Sequence, residues 1–205
     1  MSAQSRWAAL MTRKAVVEDR RVVLDGYFHV EEVKVSFQLL SGAMSPPVKR
    51  LSLKRDLAAA VLLDNKAHGT VILVRQFRYS AFEHGQGWLT EVVAGLIDPG
   101  ETAEEAIRRE AVEEAGYQVG ALERITTFYT TPGICSERIA LFYGETLGTE
   151  PVAKGGGLAE EGEDIEVLEL AYDEAFAMVD RGEIVDGKTL IALLWLKSKL
   201  RDKRD

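Results

Sequence analysis

Apolar and polar residues alternate through the first part of the chain. The alternation between Lys14 and Leu40 has a period of two, which predicts β-strands there. Short apolar runs separated by turn-forming residues predict further strands at 57–63, 70–76, 88–94, 122–129, 138–146 and 165–170. The pattern therefore indicates a large sheet that is preceded by separate N-terminal strands.

Apolar residues recur at helical spacing in three segments. In the first, Thr102 and Glu105 stand three apart and form a capping box, and Gly116 offers a left-handed C-terminal position. A helix is therefore predicted between these ends. Two more helices are predicted in the last third of the chain, the first from about Tyr172 and the second from about Leu190.

Strands and helices in this order predict the α/β class, with helices packed on the faces of a mixed sheet. The length of 205 residues allows one such domain with an extension. We place the domain at 56–200. An N-terminal β extension at 1–55 precedes it, and a charged tail at 201–205 follows it.

Composition and charge exclude several classes of protein. Hydrophobic residues make up 46% and charged residues 28%, as in soluble globular proteins. The net charge of −8 argues against a nucleic-acid partner, which needs a basic surface. No apolar run approaches the ~18 residues of a membrane span, and residues 1–14 lack the apolar segment of a secretory signal. With Cys135 as the single cysteine, we expect a cytoplasmic protein without a membrane partner.

Three carboxylates crowd one edge of the first predicted helix. Glu110 and Glu114 are four residues apart and lie one above the other, with Glu113 beside them. Such a like-charge pair is unfavourable by about 0.2–0.5 kcal/mol, and only Arg109 is placed to relieve the cluster. The cluster is either a solvated acidic face or a site for a divalent cation such as Mg²⁺, which binds carboxylate oxygens together with substrate phosphates.

A longer pattern surrounds these carboxylates. The segment Gly95–Tyr117, GLIDPGETAEEAIRREAVEEAGY, resembles the Nudix box, G-x5-E-x7-R-E-U-x-E-E-x-G-U, in which U is bulky and apolar. Every glycine, glutamate and arginine of that pattern is present at its spacing. The departures are Ala111 and Tyr117, both at U positions.

The resemblance implies a Nudix hydrolase, which has an α/β/α sandwich around a mixed sheet and cleaves a nucleoside diphosphate linked to another group. By resemblance, Mg²⁺ or Mn²⁺ would be bound by Glu110, Glu113, Glu114 and the backbone carbonyl of Ala94. Glu113 and Glu114 would also take part in catalysis. The structural positions of the box would be Gly95, Glu101, Arg109 and Gly116, with Arg109 holding a box carboxylate.

Segments outside the box resemble one branch of the family, the nucleoside diphosphate sugar pyrophosphatases. Phe128–Arg138, with Pro132, is similar to ADP-ribose pyrophosphatases, whereas the segments after Gly155 are similar to bacterial GDP-mannose pyrophosphatases. Leu51 stands where the second group has an acidic residue. By resemblance, the substrate would be contacted by Tyr27, Lys49, Arg50, Arg78, Glu137, Arg138 and Lys188. For Arg138 and Lys188 an ordinary surface ion pair fits equally well.

The acidic loop at 160–166 supplies two more candidate carboxylates. By resemblance, Glu163 is a metal ligand and Glu161 is the general base. A general base must reach the attacking water directly or through one further water. A merely solvated acidic loop is the alternative.

The sequence thus predicts a metal-dependent pyrophosphatase for a nucleotide sugar. We favour GDP-mannose, cleaved to GMP and mannose 1-phosphate, over ADP-ribose, cleaved to AMP and ribose 5-phosphate. A third alternative is a silent Nudix module that only binds nucleotides, although such a module is expected to have lost box carboxylates. Alternating N-terminal strands with nowhere to pack in a monomer suit a homodimer.

Overall fold

The computed structural model describes residues 12–85, 87–158, 160 and 162–202. The described chain forms two units. The first, which we call the N-terminal unit, takes in the chain up to Arg55 together with Thr131–Glu137. The second, the main unit, takes in Asp56–Thr130 and the chain from Arg138 onward.

The N-terminal unit is built on an antiparallel sheet with the strand order β1–β2–β3. Its strands are β1 (Ala15–Asp25), β2 (His29–Phe37) and β3 (Val48–Lys54). The segment Thr131–Glu137 runs beside β3, where the N–H of Leu53 donates to the carbonyl of Ile134 at 2.8 Å. The predicted alternation corresponds to β1 and β2, whereas β3 lies outside the predicted strands.

The main unit contains a mixed sheet. Its strands are β4 (Leu57–Asn65), β5 (Thr70–Phe77), β6 (Trp88–Glu91), β7 (Val93–Leu96), β8 (Val119–Tyr129), β9 (Arg138–Thr146) and β10 (Glu166–Ala171). Five of them lie in the order β10–β5–β4–β9–β8, while β6 pairs with β5 and β7 pairs with β4. The sheet is mixed because β4 and β9 are parallel and the other pairs are antiparallel.

The short helix α1 (Tyr79–Phe82) has no buried residue. Longer helices cover both faces of the sheet: α2 (Ala103–Ala115) packs on one face, and α3 (Tyr172–Asp180) and α4 (Gly187–Asp202) pack on the other. Adjacent residues of β4 point to opposite cores: Val61 packs in the core with Ile107 of α2, and Leu62 packs in the core with Leu193 of α4. The predicted α/β/α sandwich is therefore confirmed. None of the helices among the described residues is long and apolar enough to cross a membrane.

In the main unit, three differences from the predicted elements affect whole elements or a predicted boundary. The predicted strand at 88–94 is two strands, because the chain changes its partner from β5 to β4 at Val92. An apolar run does not reveal such a change, since the residues on both sides of it are buried. The short α1 was not predicted because four residues are too few to show a helical period. Helix α4 continues to Asp202, into the predicted charged tail.

Candidate active site

Helix α2 has the ends that its sequence predicts. The hydroxyl of Thr102 accepts the N–H of Glu105 at 3.2 Å, and the carboxylate of Glu105 accepts the N–H of Thr102 at 2.8 Å. These two bonds complete the capping box. Gly116 ends the helix with a φ of 78°, a left-handed conformation that glycine adopts without steric cost.

The three box carboxylates lie at different depths. Glu114 is buried, with 2% of the residue exposed, whereas the side chains of Glu110 and Glu113 are 15% and 29% exposed. The N–H of Ala94 donates to Glu114 at 3.2 Å and ties α2 to β7. A Cβ on Gly95 would lie 1.9 Å from Oε1 of Glu110, so glycine at this position leaves room for that carboxylate.

Burial and like charge act together on these carboxylates. Burial raises the pKa of Glu114 from 4.5 to about 8, although the hydrogen bond from Ala94 opposes this shift. The charges of Glu110 and Glu163 contribute to the same rise. Burial also raises the pKa of Glu110, against the opposing effect of Arg109. Because the acidic oxygens are poorly solvated and repel each other, a bound cation would lower both pKa values.

Arg109 binds the surrounding carboxylates. Its guanidinium donates to Glu101 at 3.2 and 3.1 Å, to Glu110 at 2.8 Å and to Glu113 at 3.0 Å. The hydrogen bonds to Glu101 are the largest cause of a raised pKa for Arg109. A fifth bond, to the carbonyl of Leu96 at 3.2 Å, fixes the same guanidinium to β7. Arg109 therefore sets the positions of Glu110 and Glu113 relative to Glu101 and to the end of β7.

The donor set of the box fits a hard divalent cation, although its present arrangement does not form a closed site. Within the described ranges, no three His, Cys, Asp or Glu side chains are grouped so that they could hold a metal ion. Arg109 binds one oxygen each of Glu110 and Glu113. Carboxylate oxygens are nevertheless the ligands that Mg²⁺ and Mn²⁺ prefer, and Gly95 leaves Glu110 the space it needs.

A glycine strap, Gly155–Gly157, covers the C-terminal end of α2. The N–H of Gly156 donates to the carbonyl of Glu114 at 2.8 Å, and that of Gly157 donates to the carbonyl of Glu113 at 3.1 Å. These bonds satisfy carbonyl groups that the end of a helix leaves without an intrahelical partner. The strap therefore attaches the following loop to the residues that carry two box carboxylates.

Of the two carboxylates predicted in the acidic loop, one lies in the described part of the chain. The carboxylate of Glu163 accepts the N–H of Leu158 at 2.9 Å. Its charge contributes to the raised pKa values of Glu110 and Glu114, so it lies within electrostatic reach of the box. Glu161 lies outside the described residues.

A buried ion cluster at the end of β6 was not predicted from the sequence. Glu91 is 2% exposed and accepts two hydrogen bonds from Arg78, each at 3.0 Å, and one from Lys188 at 2.5 Å. Burial alone would raise the pKa of Glu91, but its bonds to Arg78 and Lys188 outweigh burial and lower it. The available signal was a lone acid inside the predicted apolar strand at 88–94. Two predicted substrate residues thus share one charged carboxylate.

The remaining predicted substrate residues lie in both units. Tyr27, Lys49, Arg50 and Glu137 belong to the N-terminal unit, and Arg138 is exposed at the start of β9 in the main unit. Tyr27 is 87% exposed in the turn between β1 and β2. Lys49 pairs with Glu32 at 3.5 Å, and Glu137 pairs with Arg55 at 3.7 Å.

The fold and the site together define the class of the protein, an α/β/α sandwich in which a helix packed beside Gly95 carries clustered carboxylates. Residues 54–192 match the NUDIX domain family. The chain belongs to the Nudix hydrolase family.

Two relatives and one solved structure are similar to the chain over most of its length. The chain is 38% identical over 190 residues to a GDP-mannose pyrophosphatase of Citrobacter koseri, covering 92% of this chain and 97% of the relative. It is 37% identical over 189 residues to a GDP-mannose pyrophosphatase of Escherichia coli O1:K1 / APEC, covering 91% and 97%. A crystal structure of an ADP compounds hydrolase superposes with a TM-score of 0.71 over 93% of this chain and 96% of that chain. At 20% identity, this superposition shows a shared fold.

The buried carboxyl of Glu114 should make the metal-free protein less stable as pH rises. In the folded chain its pKa is about 8, whereas in the unfolded chain it stays near 4.5. Folding therefore takes up a proton between these pH values, and the free energy of unfolding should fall by up to about 1.4 kcal/mol per pH unit. Thermal unfolding in EDTA from about pH 5 to pH 8 measures this slope. The Glu114→Gln variant should show a flatter slope, and equal slopes would contradict the prediction.

Proposed function

We propose that this chain hydrolyses the diphosphate bond of a nucleotide sugar, with GDP-mannose cleaved to GMP and mannose 1-phosphate. The proposal is carried by the 37–38% identity to GDP-mannose pyrophosphatases over 91–92% of the chain. In the reaction, the oxygen of water bonds to one phosphorus and the bridging P–O bond breaks. The bridging oxygen leaves with the other phosphate, and the water proton passes to a general base.

We assign the divalent cation, Mg²⁺ or Mn²⁺, to the box. Its proposed ligands are Glu110, Glu113, Glu114 and the carbonyl oxygen of Ala94, with Glu163 contributing from the loop. When bound, such a cation neutralises charge on the phosphates and lowers the pKa of bound water. The burial of Glu114, its raised pKa and the space beside Gly95 support this assignment. Glu161 is the proposed general base on the strength of the sequence resemblance.

The side chains of Arg78 and Lys188, which bind Glu91, are proposed to contact the substrate diphosphate. Arg78 uses Nε and Nη2, one edge of its guanidinium, to bind Glu91, and 44% of its side chain stays exposed. A guanidinium held along one edge can present the other edge to phosphate oxygens. Lys188 would add a second positive charge beside it. Tyr27, Lys49, Arg50, Glu137 and Arg138 are proposed to contact the base, the sugar or the second phosphate.

A panel of substrates tests the proposed function. GDP-mannose, ADP-ribose, UDP-glucose and a dinucleotide are compared with Mg²⁺ and with Mn²⁺, and EDTA serves as the blank. We expect the highest kcat/KM for GDP-mannose, with GMP and mannose 1-phosphate as products and no turnover in EDTA. A higher kcat/KM for ADP-ribose would favour the alternative suggested by the segment Phe128–Arg138. Ligand binding by thermal shift without cleavage of any substrate would indicate a silent module.

We also propose that the enzyme is a homodimer formed through its N-terminal unit. Strand β1 lies at the edge of its sheet and is exposed along its whole length. It carries Val16, Val22 and Leu24 with 53%, 50% and 53% of each residue exposed. Exposed apolar edge strands favour pairing with another chain. Light scattering at micromolar concentration should give twice the chain mass of 22.7 kDa, and the mass of one chain would contradict the dimer.

A cytoplasmic location is proposed as well. Support comes from Cys135, which is the single cysteine of the sequence and is free and buried. Free thiols are kept reduced in the cytosol.

A further inference from the structure

A residue outside the sheet binds the backbone at Val92, where the chain changes its partner strand. Glu91 is paired with β5 and Val93 is paired with β4, so Val92 lies between two ladders. The N–H of Val92 donates to the hydroxyl of Thr189, in the first turn of α4, at 2.8 Å. Thr189 has 0% of its surface exposed. A buried backbone N–H needs such a partner wherever the ladder is interrupted.

Asp186 fixes the direction of the Thr189 hydroxyl. Oδ2 of Asp186 accepts the hydroxyl of Thr189 at 2.6 Å and the N–H of Thr189 at 3.0 Å. Because the hydroxyl hydrogen is directed at Asp186, an oxygen lone pair is left for the N–H of Val92. The other oxygen of Asp186 pairs with Lys188 at 3.1 Å. Asp186, the residue before α4, thus holds the Thr189 hydroxyl in a single orientation.

The segment Val92–Gly95 is held from two sides. Thr189 of α4 binds its first residue. Two residues later, the N–H of Ala94 donates to Glu114 of α2 at 3.2 Å. Only Val93 lies between these two bonded residues, so we expect a shift at Val92 to move the backbone of Ala94.

We propose that Thr189 is a positioning residue for the hydrolase site. Its hydroxyl holds the strand change at Val92 and thereby sets the position of the Ala94 backbone beside the box carboxylates. Thr189 acts through Val92 and is not itself proposed to touch a substrate or a cation. The proposal rests on the proposed function, because the Ala94 carbonyl is a metal ligand only in that function.

Two substitutions at this position separate the hydroxyl from the packing. Thr189→Val keeps the size of the side chain and removes the hydroxyl, whereas Thr189→Ser keeps the hydroxyl. On the full-length chain we expect Thr189→Val to weaken Mn²⁺ binding, measured by electron paramagnetic resonance, by about 10–100-fold. It should lower kcat more than it raises KM, and it should speed amide exchange at Val92 by about tenfold. Thr189→Ser should restore most of the Mn²⁺ affinity.

Thr70→Val is the matched control. The hydroxyl of Thr70 also donates to a carboxylate, that of Glu169, at 2.6 Å, but it lies at the start of β5. Its loss should leave Mn²⁺ affinity at the wild-type value. Should Thr189→Val fail to fold, Asp186→Asn is the second variant, which weakens the acceptor of the hydroxyl and should cause a smaller loss of the same kind.

Unchanged Mn²⁺ affinity in folded Thr189→Val would overturn the positioning role. An equal loss in Thr189→Val and Thr70→Val would overturn it too, because it would reflect general destabilisation. If wild-type protein bound no Mn²⁺, the proposed function would fail and this proposal with it. Amide exchange at Val92 would still report the hydrogen bond in that case, so the two failures are distinguishable.

Discussion

Glu114→Gln should abolish metal-dependent hydrolysis and leave the fold intact. Glutamine has the size of glutamate and can still accept the N–H of Ala94, but it carries no negative charge for a cation. A bound metal supplies several kcal/mol of transition-state stabilisation, and each ~1.4 kcal/mol is a factor of ten. We therefore expect kcat to fall by about a thousandfold or more.

The fold should tolerate this change because Glu114 is costly in its charged form. Burial raises its pKa to about 8, which shows that the folded chain favours a neutral side chain at this position in the absence of a cation. Circular dichroism and thermal unfolding in EDTA should match the wild type or show a gain in stability. Mn²⁺ binding should be lost in parallel with turnover.

Glu104→Gln is the matched control for Glu114→Gln. Glu104 lies on the same helix α2 and is exposed to solvent. The control removes one carboxylate from α2 at a position that the box pattern leaves unspecified, so its kcat should stay close to that of the wild type. Wild-type turnover in Glu114→Gln would rule out Glu114 as a metal ligand.

Gly95→Ala should reduce activity by about a hundredfold or more with little loss of stability. The new Cβ would lie 1.9 Å from Oε1 and 2.6 Å from Cγ of Glu110. Because Glu110 is a flexible side chain, it can turn away and relieve the clash at small cost to the fold. Its carboxylate would then leave the position that the box gives it. A misplacement of about 1 Å at a catalytic site costs roughly a hundredfold in rate.

Kinetics, Mn²⁺ affinity and thermal unfolding together check this second prediction. Gly148→Ala is its control, since a Cβ on Gly148 would find its nearest neighbour, the carbonyl of Glu150, 3.9 Å away. That variant should behave like the wild type in all three measurements. Normal Mn²⁺ affinity in Gly95→Ala would show that Glu110 does not need this space.

The parts of the site that were predictable are those that depend on spacing along one element. Three carboxylates at i, i+3 and i+4 share a helix edge wherever the helix packs, and Thr102 and Gly116 set its ends through local hydrogen bonds and backbone geometry. The depth of each carboxylate was not predictable. Glu114 is buried because β7 lies beside α2 and its Ala94 bonds that carboxylate, and no spacing along α2 contains that information.

Glu91 and Thr189 show why other parts of the site could not be predicted. They are 98 residues apart along the chain, and each taken alone is an ordinary polar residue in an apolar context. Packing brings the first turn of α4 next to Val92. The ion pair between Lys188 and Glu91 and the hydrogen bond from the N–H of Val92 to the hydroxyl of Thr189 form there. Long-range contacts of this kind leave no periodic trace in the sequence.

Local chemistry in the sequence was thus sufficient for the α/β class with a mixed sheet and for the box helix with its capping residues. These properties follow from backbone hydrogen bonding and from periods of two and 3.6 residues, which act over neighbouring positions. The Nudix hydrolase family and its α/β/α sandwich were predicted from the resemblance of Gly95–Tyr117 to the Nudix box. The division of 88–94 into two strands, the burial of Glu114 and the sharing of Glu91 by Arg78 and Lys188 depend on which elements pack together. Burial and paired charge arise between distant segments, so they exist only in the folded chain.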